Sequence, residues 1–227
     1  MKQETISLII PVYNEAAGIG GFLRQLEGLP GDWEAIFADG GSTDGTAEQI
    51  APHYPVISCP RGRAGQMNAG AGHSGGDILL FLHADSILPR DLCAQVLEVR
   101  SRGYSFGCFR IRFDSTSPVM KLGAFFSNLR VRLRKIAFGD QGIFMTRELF
   151  EQIGGFPEMP LMEDYQLSLS LRGSVKLGQA RGYLTTSARR FESGGMFRTM
   201  WKMKRLQHQF RRGVPVEQIA KAYRDIR

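Results

Sequence analysis

The stretch Ile78-Leu79-Leu80-Phe81-Leu82-His83-Ala84-Asp85 decides how the chain is read. Five apolar residues in a row match a short strand buried on both faces, as in the middle of a parallel sheet. The run ends in His83 and Asp85, which on a continued strand point to the same side. In open α/β sheets, ligands bind outside the carboxyl ends of the strands. A carboxylate and an imidazole there suit a divalent cation or a polar substrate. A polar strand end with a capping Asp is the purely structural alternative.

Upstream, strand and helix patterns alternate. Ile6 to Val12 reads as a buried strand, and Asn14-Glu15 opens a helix with Ile19, Phe22, Leu23 and Leu26 at helical spacing. Trp33 to Ala38 is a second strand, followed by Asp39-Gly40-Gly41-Ser42-Thr43-Asp44-Gly45 and a helix from about Thr46. Val56 to Ser58 is a weaker strand and Gly65 to Gly72 a short helix. This alternation predicts a parallel α/β sheet with right-handed crossovers. Downstream the pattern loosens. Helices are expected over Leu92 to Arg100, Val119 to Phe138, Arg147 to Ile153 and Glu163 to Arg172. Strands are expected over Ser105 to Phe113 and Gly142 to Thr146, with two short ones at Val175–Leu177 and Leu184–Ser187. Met196 to Phe210 reads as a basic amphipathic helix.

Composition narrows the class. At 227 residues with 43% hydrophobic and 22% charged side chains, one globular domain is the default. The net charge of +7 is unevenly placed: residues 1–171 carry −4 and residues 172–227 carry +11. The basic end points to phosphate groups on a ligand, a lipid surface or nucleic acid. Three scattered cysteines, Cys59, Cys93 and Cys108, fit neither a disulfide framework nor a zinc site. Strand-like residues begin almost at once, and no apolar run reaches the ~18 residues needed to span a bilayer. The expectation is therefore a cytoplasmic protein without a signal peptide.

Glycine-rich motifs exclude several chemistries. Gly18-Ile19-Gly20-Gly21-Phe22-Leu23 lacks the last glycine of the dinucleotide fingerprint, and the chain has no Gly-Lys pair for a P-loop. Gly72-His73-Ser74-Gly75-Gly76 matches G-x-S-x-G, but it precedes a strand where a nucleophile elbow must follow one. Asp39 ends its strand as Asp85 ends another, and suits a nucleobase N–H or a ribose hydroxyl. Asp44 or Thr43 suits a helix cap. Arg61 and Arg63 bring two guanidinium groups that suit phosphate, or form a solvated loop. Glu163-Asp164 opens a helix, where the macrodipole favours acids, and one of them suits a general base.

Together these residues resemble the family-2 glycosyltransferases with the GT-A fold. The resemblance covers Ile9 to Ala16, Asp39 to Thr46, Arg63 to Gly70, the strand ending at Asp85, Gly139-Asp140-Gln141-Gly142 and the Glu163-Asp164 helix. More narrowly, Phe81-Leu82-His83-Ala84-Asp85, Arg189-Arg190-Phe191 and Tyr223-Arg224-Asp225-Ile226-Arg227 resemble a bacterial subgroup. Its members are transferases associated with radical-SAM, selenium-related or arsenosugar-biosynthesis genes.

The resemblance implies a mainly parallel central sheet flanked by helices. It divides the chain into a transferase domain over residues 1–190 and a basic helical extension over 191–227. It implies transfer of a sugar from a UDP- or GDP-type donor to an acceptor hydroxyl, with inversion. Pro11, Tyr13, Glu15 and Asp39 would line the nucleoside pocket, and Arg63 would lie over the nucleoside or diphosphate. Asp85, with His83, would hold Mg²⁺ or Mn²⁺, and Asp164 would be the base beside Glu163. Two positions depart from the family pattern. Gly40 stands where a second Asp is usual, and His83 replaces the first Asp of DxD. An imidazole suits Mn²⁺ better than Mg²⁺. One carboxylate fewer implies a weaker cation site, or one completed by the diphosphate, with Arg189 and Arg190 as compensating charges.

The basic Met196 to Phe210 helix has three readings: packing on the domain through residues such as Phe197, Met200, Trp201, Met203 and Lys204, lying on an anionic membrane face, or binding nucleic acid. The last lacks a recognition motif. The rival functional readings are a non-catalytic nucleotide-sugar-binding or membrane-docking protein on the same fold, and a hydrolase using Ser74.

Overall fold

Ile6–Val12 forms β1, and only Pro11 along it is less than fully buried. It lies at the centre of a computed structural model that describes residues 4–187 and 196–224. β1 pairs in parallel with β2 (Trp33–Asp39) on one side and β4 (Ile78–Phe81) on the other. β2 pairs in parallel with β3 (Val56–Ser58). Between them run α1 (Ala16–Glu27), α2 (Thr46–Ile50) and α3 (Arg63–Gly72). α1 forms because Ile19, Phe22, Leu23 and Leu26 recur on one face, and all four are buried. α3 comes so close to β1 that a methyl at Gly70 would meet Ile9 Cγ2 at 2.5 Å.

Past β4 come α4 (Leu92–Ser101), β5 (Phe106–Phe113), α5 (Pro118–Arg134), β6 (Phe144–Thr146), α6 (Arg147–Gln152), α7 (Glu163–Leu171) and β7 (Leu177–Thr186). The sheet order is β3-β2-β1-β4-β6-β5-β7. Among the described strands only β6 runs antiparallel to its neighbours. This is the mainly parallel, helix-flanked sheet that the alternating pattern predicts. Apolar clusters fill both faces of the sheet, one around Ile10, Phe22 and Phe37, the other around Ile9, Phe81 and Phe106.

Three expectations need correction. β4 stops at Phe81, so His83 and Asp85 do not share a side by strand alternation. The chain instead turns, with the Ser86 N–H donating to the His83 carbonyl. α5 ends at Arg134, where Lys135 turns left-handed at φ 55°, not at Phe138. The two short C-terminal strands are one strand, β7, paired with β5 across a register shift between Cys108 and Arg110. Sequence alternation fails there because the shift breaks the period of two.

α8 (Met196–Arg211) is followed by α9 (Val216–Arg224). Leu206 and Ile219 are buried with Ile136, Met162 and Tyr165, and Met203 and Phe210 pack around them. Trp201 and Lys204 face solvent. Among the described residues, no helix is long and apolar enough to cross a membrane.

Candidate active site at the carboxyl edge of the sheet

The loops after β1 and β2 are stitched to each other. The Asn14 N–H donates to Ser42 Oγ at 2.9 Å, and the Thr43 N–H donates to Asn14 Oδ1 at 2.9 Å. Asp44 accepts from the Ala16 and Thr46 N–H groups, and Thr46 Oγ1 accepts from the Glu15 N–H at 2.8 Å. Asp44 is thus structural, but the N-cap of α2 is Gly45, neither Asp44 nor Thr43. Asp39 is buried and accepts from the Gly41 N–H, the Ser42 N–H and the Ser42 hydroxyl. Gln66 Nε2 donates to the Val12 and Ala38 carbonyls, both at 2.8 Å, and ties the two strand ends to α3. This also accounts for Gly40: a Cβ there would lie 3.1 Å from the Gln66 side-chain amide. A side chain in place of Gly40 would press that bridge aside by a few tenths of an ångström.

A cavity of about 700 Å³ opens beside these loops. Glu15, Arg63, His83, Asp85, Asp140 and Asp164 all line it. So residues far apart in sequence meet at one rim. Pro11, Tyr13 and Asp39 do not line it; the Arg61 guanidinium covers the Tyr13 ring at 3.9 Å. Glu163 is buried behind the wall, 3.5 Å from Arg63 Nη1. Burial and the adjacent Asp164 carboxylate push the Glu163 carboxyl up, and Arg63 pulls it back. Arg189 and Arg190 lie outside the described residues.

Asp164 is held from two sides. The Gly139 N–H donates to its Oδ2 at 2.7 Å, and the Tyr165 N–H to its Oδ1 at 2.6 Å. A Cβ at Gly139 would stand 3.0 Å from His83 Nε2 and 3.4 Å from Asp164 Oδ2. Glycine is therefore what lets the His83 turn, the 139–141 turn and α7 close on one another.

The acid that the sequence reading left without a role is Asp140. It sits on the 3₁₀ turn Gly139–Gln141, which the buried Gln141 anchors. Arg130 Nη2 donates to Gln141 Oε1 at 2.8 Å, and its guanidinium stacks on Phe138 at 3.9 Å. Asp140 Oδ1 is buried and has no hydrogen-bond partner among the described residues. Its only sequence signal was the Gly-Asp-Gln-Gly run, which reads equally as a turn.

Burial pushes the Asp140 carboxyl up to about 6, with the Arg130 guanidinium opposing and the Asp164 charge adding to the rise. The folded protein thus holds this proton more tightly than the unfolded chain. That contribution to stability is full below about 3.8 and lost as pH rises through about 6. In metal-free buffer, Asp140→Asn is expected to melt about 5 °C above the parent at pH 8, the gap closing toward pH 4. Thermal melts across that range check it; a gap independent of pH would assign the effect elsewhere.

Among the described residues no three His, Cys, Asp or Glu side chains form a ready cation cage. The donor set nevertheless fits a cation that shares its shell with phosphate oxygens: the Asp85 and Asp140 carboxylates, the latter with an orphaned buried oxygen, and the His83 imidazole line one cavity. Ser74 offers no rival chemistry. Its hydroxyl donates to the Ala71 carbonyl and accepts from Arg147 Nη2 at 3.0 Å, so it ties a turn to α6.

Residues 7–154 match the model of glycosyl transferase family 2. The beta-monoglucosyldiacylglycerol synthase of Synechocystis sp. is 27% identical over 191 residues, which cover 73% of this chain and 40% of that protein. The chain thus spans about two fifths of that relative's length. Among solved structures, the mannosyltransferase PcManGT from Pyrobaculum calidifontis in complex with GDP-Man and Mn²⁺ superposes with a TM-score of 0.71 at 21% identity. It covers 100% of this chain and 70% of its own. Glucosyl-3-phosphoglycerate synthase from Mycobacterium tuberculosis, in complex with Mn²⁺, UDP and glucosyl-3-phosphoglycerate, has a TM-score of 0.57 at 22% identity, covering 81% and 71%. At such identities the likeness is one of fold.

Proposed function

This chain belongs to glycosyl transferase family 2, and from that membership we propose that it moves a sugar from a nucleoside-diphosphate donor to an acceptor hydroxyl, with inversion. The observation that carries the reading is the convergence of Asp85, Asp140, Asp164 and Arg63 on one cavity at the carboxyl edge of the sheet. The complexes of the two solved neighbours, with GDP-Man in one and UDP in the other, support a nucleotide-sugar donor.

In this mechanism Asp164 is the base. Its carboxylate, oriented by the Gly139 N–H, takes the proton of the acceptor hydroxyl as that oxygen bonds to the anomeric carbon. The anomeric carbon–phosphate oxygen bond breaks, and the electron pair leaves on the nucleoside diphosphate. Arg63 brings positive charge to the departing diphosphate, and its contact with the buried Glu163 fixes its direction. Asp85, His83 and Asp140 would hold a divalent cation, whose chemistry when bound is to neutralise charge on the leaving group. The imidazole favours Mn²⁺ in that position. Tyr13 and the strand residues Pro11 and Asp39 adjoin the stitched loops, which suit the nucleoside end.

The test is a panel of UDP- and GDP-sugars, each followed for thermal stabilisation and for release of nucleoside diphosphate with Mn²⁺, Mg²⁺ or chelator. One donor should stabilise the protein and be consumed, with Mn²⁺ the better cation. Stabilisation without consumption across a broad acceptor set would leave a binding protein. Neither stabilisation nor consumption would remove the reading altogether.

A further inference from the structure

Among the described side chains, the exposed apolar residues cluster on α5 rather than on the C-terminal helix that the sequence marks as amphipathic. Leu122, Phe125, Phe126 and Leu133 are 53%, 59%, 54% and 71% exposed. At three- and four-residue spacing they form one stripe along a helix of 17 residues. The opposite face buries Met120, Ala124 and Val131. The stripe is therefore not the side by which α5 packs on the sheet. Large aromatic side chains left in water on a continuous stripe mark a contact surface.

Charge identifies what covers it. Residues 115–138 contain five basic side chains and no acidic one. Arg130 turns inward to Gln141, whereas Lys121, Arg132, Arg134 and Lys135 are exposed around the stripe. A second copy docked here by two-fold symmetry would set these cations against their own counterparts. Nucleic acid would answer the cations and leave four apolar side chains unmatched. An apolar stripe bordered by Lys and Arg is the arrangement of a helix lying in the headgroup layer of an anionic membrane.

We propose that α5 docks the protein on anionic membrane surfaces, its apolar stripe entering the boundary between headgroups and acyl chains. The segments flanking the helix reach the cavity wall: Phe113 and Asp114 line it before α5, and Phe138 and Asp140 line it after. Docking through α5 thus sets the cavity beside the headgroup layer. That last step rests on the transfer reading, for it places the acceptor at the membrane; the docking itself rests on α5 alone.

Vesicle co-sedimentation of the full chain without donor tests it. Binding is expected to equimolar phosphatidylcholine and phosphatidylglycerol, to weaken in high salt, and to be absent with phosphatidylcholine alone. Phe125→Ser/Phe126→Ser should lower binding about tenfold or more while keeping the parent's melting temperature, because both rings are exposed. Lys121→Gln/Arg132→Gln/Arg134→Gln/Lys135→Gln should lose the preference for anionic lipid. Trp201→Ser, on the exposed side of α8, should bind as the parent does. No binding to anionic vesicles would overturn the proposal. So would loss of binding in Trp201→Ser with retention in both α5 variants. A parent dimer broken by the Phe125/Phe126 pair would overturn it too, by making a second copy the occupant.

Discussion

Asp164→Asn is expected to lower sugar transfer by roughly 10²–10⁴-fold while donor affinity stays near that of the parent. The side chains are nearly the same shape. The asparagine carbonyl oxygen can still accept the Gly139 N–H that now reaches Asp164 Oδ2 at 2.7 Å, while its amide nitrogen, a donor, loses the bond that Oδ1 now accepts from the Tyr165 N–H. The turn at 139–141 should therefore stay in place, with a small cost in stability at the start of α7 that a thermal melt reads. What is lost is the capacity to take a proton, so the deficit should fall on the chemical step. Calorimetry of UDP binding together with single-turnover transfer separates the two quantities. Turnover near the parent's rate would remove Asp164 as the base, and a parallel loss of donor affinity would make it a binding residue.

The second large effect belongs to Asp85. It is exposed on the turn after β4 and lines the same cavity as His83 and Asp140. Asp85→Asn keeps the size and removes one negative charge from a cavity rim whose neighbouring polar group, His83, is an imidazole. We expect Mn²⁺-dependent UDP affinity to fall about 10- to 100-fold, with no difference from the parent in chelator. The melting temperature should not change, because the residue is not part of the core. Equal affinity for UDP and Mn²⁺ in variant and parent would end the assignment of Asp85 to the cation.

These two acids also differ in how they could be found. Asp85 follows five apolar residues, so its place at a strand end is a local fact. Asp164 opens a helix, where an acid has an ordinary electrostatic reason to be. Only the fold brings it to within reach of His83 and Gly139. Asp140 was less legible still. Its meaning comes from burial and from the orphaned Oδ1, and neither can be read from a four-residue turn. Gly40 is the converse case. The family resemblance marks it as a missing carboxylate, while in the structure it lies against the Gln66 bridge between two strand ends.

The C-terminal half divides along the same line. The sequence marks α8 as a basic amphipathic helix and α5 as a long helix, and cannot tell which of them leaves its apolar side chains exposed. In the structure α8 turns Met203, Leu206 and Phe210 onto Tyr165, Met162 and Ile219, whereas α5 leaves Phe125 and Phe126 in water.

By itself, then, the sequence determined the elements: three buried strands and a weaker fourth with their crossover helices, the strand-end acids and the helical periods. Each of these depends on neighbours within about ten residues, where backbone sterics and side-chain period act directly. Tertiary structure alone decided what each face meets. It inserted β6 antiparallel between β4 and β5, joined β7 into one strand, gathered Asp85, Asp140 and Asp164 around one cavity and left α5 uncovered. A periodic stripe records that a helix has an apolar side. Which surface covers that side is set by contacts between residues far apart in the chain, and periodicity carries no information about those.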